Sequence, residues 1–166
     1  MIRHAPDGYR CPVCALLEGS RIDTVVEGNR VVWGPEHILR DDGQVAIVMN
    51  VKWWGRNEGS VIVVPRDHYE NVYDLPVALG HPLQRAVRDT AIAMKRSYAC
   101  AGVSTRQHNE PAGDQEVWHY HLHVIPRFVG DDLYAAEFTW ADADLALEHA
   151  HRLSEALVSP TRLPKG

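Results

Sequence analysis

Cysteine is scarce in this chain: Cys11, Cys14 and Cys100 are the only three in 166 residues. An odd count without a secretory leader argues against a disulfide framework. The first residues, Met1-Ile2-Arg3-His4-Ala5-Pro6-Asp7, lack the apolar core of a signal peptide, so a cytoplasmic location is expected. Long hydrophobic runs are missing too. Stretches such as Val45-Ala46-Ile47-Val48-Met49 are far too short to cross a bilayer, and no membrane partner is expected. Positive charge is not in excess. A net charge of -5 gives no general basic field, which argues against wrapping a nucleic-acid polymer. A small anionic ligand remains compatible, because local donors decide that. Internal repeats, low-complexity tracts and long linkers are also absent. The reading is one domain over 1–166, with a core at about 9–158 and a tail, Ser159 to Gly166, expected to fray.

What is present alternates short strands with two helices. The β-branched runs Thr24-Val25-Val26 and Arg30-Val31-Val32-Trp33 flank Glu27-Gly28-Asn29, a hairpin signal. Asp41-Asp42-Gly43 marks another turn before a strand from Gln44 to about Asn50. Lys52 to Gly59 reads as a loop, and Ser60-Val61-Ile62-Val63-Val64 as a strand stopped by Pro65. From Pro82 to Ala99 the period changes: Leu83, Ala86, Val87, Thr90, Ala91 and Met94 form one face of an amphipathic helix. Pro82 suits its first turn. A second helix is expected over Asp142–Val158, with Leu145, Ala146, His149, Leu153 and Leu157 on one side and acidic residues at its start. The class is α+β, on a mainly antiparallel sheet.

The segment Val117-Trp118-His119-Tyr120-His121-Leu122-His123-Val124-Ile125 carries the clearest chemistry. Read as a strand, it puts His119, His121 and His123 on one face, with Trp118, Tyr120, Leu122 and Val124 on the other. Successive imidazoles then stand roughly 7 Å apart, twice the strand rise. Three readings fit this row alone: a nucleophile with its helpers, a three-histidine metal site, or accident. Cys11-Pro12-Val13-Cys14 likewise reads as a metal half-site, a redox pair or incidental thiols.

Other segments bring the row into register with a known family. His119-Tyr-His121-Leu-His123 followed by Val-Ile-Pro126-Arg127 resembles the signature of the histidine-triad (HIT) family. Cys11-Pro-Val-Cys14, with Leu16 and Gly19 after it, resembles an N-terminal element of the same family. Gly59-Ser-Val-Ile-Val-Val-Pro65-Arg-Asp-His68 and the residues to Leu75 resemble its Gly-His-x-Leu-Val-x-Pro-Lys-x-His segment. Asn109-Glu-Pro-Ala-Gly113-Asp-Gln115 resembles its Gly/Gln-rich loop. The likeness covers roughly residues 11–130.

The resemblance implies a HIT-like fold, a five-stranded mainly antiparallel sheet with helices, forming a homodimer. It implies a nucleotide-phosphate hydrolase or nucleotidyl transferase, acting at the α-phosphate of a nucleotide or nucleotide-conjugate substrate. His121 would be the nucleophile, with His123 and His119 beside it. Gln115 and Asn109 would donate to phosphate oxygens, and Asn50 would meet the ribose. By the same likeness, Cys11, Cys14, His68 and His119 would hold a structural zinc ion, a closed set of two thiolates and two imidazoles. The sequence departs from the pattern at two places. Glu116 stands where the family often has Ser or Thr, an anion expected to repel phosphate unless it is paired or turned away. Ser60 replaces a usual His, and Trp53-Trp54 mark a remodelled rim whose rings either stack on a ligand or pack. Two other functions stay open here: a non-catalytic nucleotide- or protein-binding module, and a three-histidine zinc metallohydrolase.

Overall fold

A strand that must bury both of its faces reads as an unbroken apolar run, and two segments of this chain do so. They are β4 (Val45–Met49) and β6 (Val61–Pro65), every residue of which is buried. The structure, a computed structural model, describes residues 2–158; the tail expected to fray lies outside the described residues. Strands β3 (Ile38–Asp41), β4, β6, β8 (Leu122–Arg127) and β7 (Gly102–Gln107) form one sheet in that order, with every pair antiparallel. The expected five-stranded α+β architecture is what the chain adopts.

One face of the sheet is covered by α2 (Gly80–Ser97) and α3 (Ala143–Val158). Val45, Ile47, Met49, Val61, Val63, Tyr120 and Val124 meet Leu83, Ala86, Met94, Ala146 and Leu153 there. On the other face, Ala46, Val48, Ile62 and Val64 pack under α1 (Pro12–Leu17) and Trp33. Trp33 ends a hairpin of β1 (Ile22–Val26) and β2 (Asn29–Trp33), whose two turn residues Glu27 and Gly28 both have positive φ. That is the turn whose twist matches antiparallel strands. The expected Asp start of the last helix is borne out in atoms, since Asp142 Oδ1 accepts from the backbone N–H groups of Asp144 and Leu145.

Two expectations need correction. Lys52-Trp53-Trp54, read as loop, is β5 (Lys52–Trp54), paired with β9 (Phe138–Trp140) in a separate two-stranded ribbon. A three-residue strand completed by a partner over eighty residues away leaves no local period to read. The second concerns Val117–Ile125, which is not one strand. The ladder begins at Leu122; residues 117–119 form a bend and 120–121 lie outside any strand. His119 N–H donates to Val117 O at 2.9 Å, and Tyr120 N–H donates to Tyr69 O, so this stretch bonds outside the ladder. Tyr120, Leu122 and Val124 still reach the helix-covered core, but Trp118 leaves the strip and lies 5.9 Å from the His4 ring.

Candidate functional site: a histidine-lined cavity beside a cysteine–histidine cluster

The bend before β8 decides where each histidine goes. His119 is fully buried and turns toward α1, where Cys11 caps the helix with Pro12 in its first turn. Its Nδ1 lies 3.4 Å from Cys11 Sγ and 3.6 Å from Cys14 Sγ, and Cys14 Sγ lies 3.3 Å from His68 Nδ1. Its Nε2 donates to Pro65 O at 2.9 Å, which fixes the tautomer and leaves Nδ1 bare toward the sulfurs. The ligand atoms of Cys11, Cys14, His68 and His119 all lie within 4.8 Å of one another. A tetrahedral zinc ion with ordinary Zn–S and Zn–N bonds would put sulfur and nitrogen ligands about 3.6 Å apart. The spacing and the donor set therefore fit such an ion. Burial pushes the Cys14 thiol up to about 12 and the His119 imidazole down to about 4, so without a cation the cluster favours its neutral forms.

With both ring nitrogens of His119 committed, the three triad histidines do not converge on one ion, and His119 does not line the cavity. This is the physical objection to a three-histidine metallohydrolase.

His121 and His123 face a cavity of about 500 Å³ on the sheet side occupied by the β1–β2 hairpin. His121 Nδ1 donates to the carbonyl of His119 at 2.7 Å, leaving Nε2 as the unprotonated nitrogen. Burial lowers the affinity of both rings for a proton, most strongly for His123, so both are neutral near pH 7. Their ring centres are 4.9 Å apart and nearly perpendicular. Asn50 and Glu116 also line the cavity. Asn50 Oδ1 accepts from Lys52 N–H at 3.2 Å, an Asx-type turn at the end of β4, and its Nδ2 donates to Lys52 O at 2.6 Å.

The difficulty posed by Glu116 is met by a neighbour. Lys52 Nζ stands 2.5 Å from Glu116 Oε2 and 3.7 Å above the Phe138 ring, so the carboxylate has a countercharge at the rim. Trp53 and Trp54 separate by strand alternation. Trp53 is 2% exposed in the helix-side core, while Trp54 faces the cavity with its ring 5.3 Å from His123, edge to face.

Gln115 and Asn109 are placed differently from the expectation that they reach phosphate. Buried Gln115 donates to Glu70 O at 2.6 Å and to Val117 O at 3.1 Å, and accepts from Glu110 N–H. Asn109 accepts from Val72 N–H at 2.8 Å and exchanges bonds with Gln107. Both brace the loop, and neither lines the cavity. Sequence reading missed Arg106 and His108, which do line it. His108 Nδ1 donates to Gly113 O at 2.6 Å, and its ring lies 5.9 Å from His123. The available signal was weak: Arg106 lies near the end of β7 and His108 just past it, in a stretch without marked apolar alternation. Ser60 is fully buried.

An antiparallel sheet carrying a pair of cavity-facing imidazoles, with a Cys2His2 cluster behind them, defines a histidine-based α+β domain. The chain belongs to the HIT domain family, whose family model matches residues 34–130. It is 34% identical to the protein hit of Bacillus subtilis over 101 residues, which are 60% of this chain and 69% of that protein. Solved structures of the family share its fold. A zinc-bound histidine triad family protein from Mycobacterium smegmatis is 23% identical with a TM-score of 0.68, covering 89% of this chain and 93% of that one. A hypothetical histidine triad nucleotide-binding protein from Sulfolobus tokodaii is 17% identical with a TM-score of 0.69, covering 89% and 92%.

Proposed function

We propose that this protein is a nucleotide-phosphate hydrolase or nucleotidyl transferase working through a covalent adduct on His121. The observation that carries the reading is the 2.7 Å bond from His121 Nδ1 to the His119 carbonyl. It leaves Nε2 with its lone pair at the cavity, in a ring that burial keeps neutral. Nε2 attacks the α-phosphorus, an N–P bond forms, and the bond to the leaving group breaks with its electron pair departing on that group. Water or a second acceptor then takes the nucleotidyl group and regenerates the imidazole. His123 contacts the departing group, and Asn50 reaches the ribose from the end of β4. Gln115 and Asn109 act as positioning residues for the loop.

We read Cys11, Cys14, His68 and His119 as a structural zinc site that pins α1 against the sheet. An ion there supplies only structural constraint. The family resemblance further supports a homodimer, for which sedimentation at micromolar concentration is the test. Among the described residues, no helix is long and apolar enough to cross a membrane.

The catalytic reading is tested by intact-protein mass after brief exposure to nucleoside phosphoramidates, dinucleoside polyphosphates and nucleotide sugars. Wild type is expected to gain a nucleotidyl mass or to turn over at least one class. His121→Ala is expected to do neither. A folded wild type inert to the whole panel but binding nucleotides would make the protein a binding module instead.

A further inference from the structure

Two cations, Arg106 and Lys52, act on His123, and Lys52 is already paired with Glu116 at 2.5 Å. Arg106 is the direct partner of His123 in the β7–β8 ladder, so both side chains rise from one face with their Cβ atoms about 5 Å apart. The Arg106 guanidinium carbon lies 5.7 Å from the centre of the Trp54 ring and 5.3 Å from that of Tyr134. Lys52, Arg30, Arg40 and Arg127 each hold a carboxylate. Among the described residues, Arg106 has none within salt-bridge reach, and its partners are rings. A guanidinium supported on aromatic faces keeps its planar fork of donors for an incoming oxyanion.

We propose that Arg106 determines leaving-group specificity, favouring conjugates that expel a phosphate-bearing group over those that expel an amine. This rests on the nucleotidyl-histidine reading above. As His121 Nε2 forms the N–P bond, the P–O bond to the leaving phosphate breaks and the departing oxygen takes the bonding pair. Negative charge therefore grows on the His123 side, within reach of Arg106, where a charge-assisted hydrogen bond strengthens in the transition state. An amine leaving group must instead gain a proton to depart, and a fixed cation beside it opposes that charge. The carboxylates Asp114 and Glu116 also line the cavity, and Glu116 is held by Lys52. The cation facing His123 without a carboxylate of its own is Arg106.

The test compares kcat/KM for a dinucleoside triphosphate and a nucleoside phosphoramidate carrying the same nucleoside, so that base preference cancels. Arg106→Gln is expected to lower the triphosphate-to-amidate ratio roughly 10- to 100-fold, as loss of one charge-assisted bond implies. Arg106→Lys keeps the charge and stem and is expected to lose less, in the same direction; it also guards against a glutamine variant that fails to fold. A ratio equal to that of wild type in both variants overturns the inference, including the case where both substrates fall together. Turnover of neither substrate by folded wild type overturns the nucleotidyl-histidine reading and takes this inference with it. Wild-type turnover with an unmoved ratio overturns this inference alone.

Discussion

The carbonyl of His119 accepts the Nδ1–H of His121 at 2.7 Å, while the side chain of His119 belongs to the cysteine–histidine cluster. One residue thus joins the two parts of the site. Its ring is held by Pro65 O and the sulfurs, and its carbonyl sets which nitrogen of His121 is free. Such outer contacts usually determine tautomer and orientation.

Loss of the cluster should therefore be visible without any assay of turnover. Cys14→Ser is expected to reduce bound zinc from about one per chain to a small fraction, because a closed Cys2His2 set loses a thiolate. Thermal unfolding should fall by about 4–8 °C, corresponding to roughly 2 kcal/mol for a chain of this size. Elemental analysis with calorimetry on the same sample checks both. Wild type purified without chelator and containing no stoichiometric metal contradicts the zinc reading.

The rim pair makes a prediction about coupling. Lys52→Ala should raise KM for a nucleotide conjugate by roughly tenfold, since Glu116 then faces the phosphate with no countercharge. Adding Glu116→Gln to Lys52→Ala should restore most of the loss, whereas Glu116→Gln alone should change KM little. A double-mutant cycle measures this; additive effects would mean that the pair is incidental.

Adjacent tryptophans should behave oppositely. Trp53→Ala removes a core side chain and is expected to destabilise by about 3–5 kcal/mol. Trp54→Ala should have a smaller effect on denaturant midpoint but weaken substrate binding, because that ring lines the cavity beside His123. Chemical unfolding and KM, measured on both variants, separate the two roles.

Asp131 is the clearest acid-sensitive anchor. The Arg127 guanidinium, at 2.7 Å through both Nε and Nη2, holds its carboxyl well below the usual carboxylate range, with help from Asn57 and the backbone of Phe128 and Leu133. A depressed carboxyl stabilises the fold fully above its unfolded value of about 4, and that contribution is lost as pH falls through the folded value. Asp131→Ala should cost about 2–4 kcal/mol near pH 7, by stranding Arg127 and the Asn57 amide. The gap between wild type and variant should narrow in denaturant titrations as pH is lowered below about 4.

Much of this site was readable because its chemistry is local in sequence. The His-x-His-x-His spacing, the Cys-x-x-Cys pair and His68 each stand in short segments, and the resemblance that joins them gave the cluster the structure forms. The apolar runs Val45–Met49 and Val61–Val64 likewise marked strands, which the structure buries on both faces. What was lost is what long-range pairing decides. β5 exists only because β9 pairs with it, and Lys52 answers Glu116 across 64 residues. The strand reading of 117–125 failed for a related reason: His119 and Tyr120 bond to β6 and to Tyr69, and no period of two records that. Gln115 and Asn109 showed the limit of carrying a role by position, since their amides are spent on the loop backbone and on Gln107. Arg106 had no motif at all, and only the β7–β8 register brings it opposite His123.

The central claim, that His121 Nε2 is the nucleophile, is tested most directly by locating the adduct. Wild type is mixed with a substrate it turns over, denatured within the first turnover at alkaline pH to preserve an N–P bond, digested and mapped by mass spectrometry. The account predicts a nucleotidyl group on the peptide containing His121 and none in His121→Ala, with kcat/KM in that variant down by at least about a thousandfold. Turnover by folded wild type with no adduct on that peptide, and His121→Ala retaining activity within about tenfold of wild type, would contradict it.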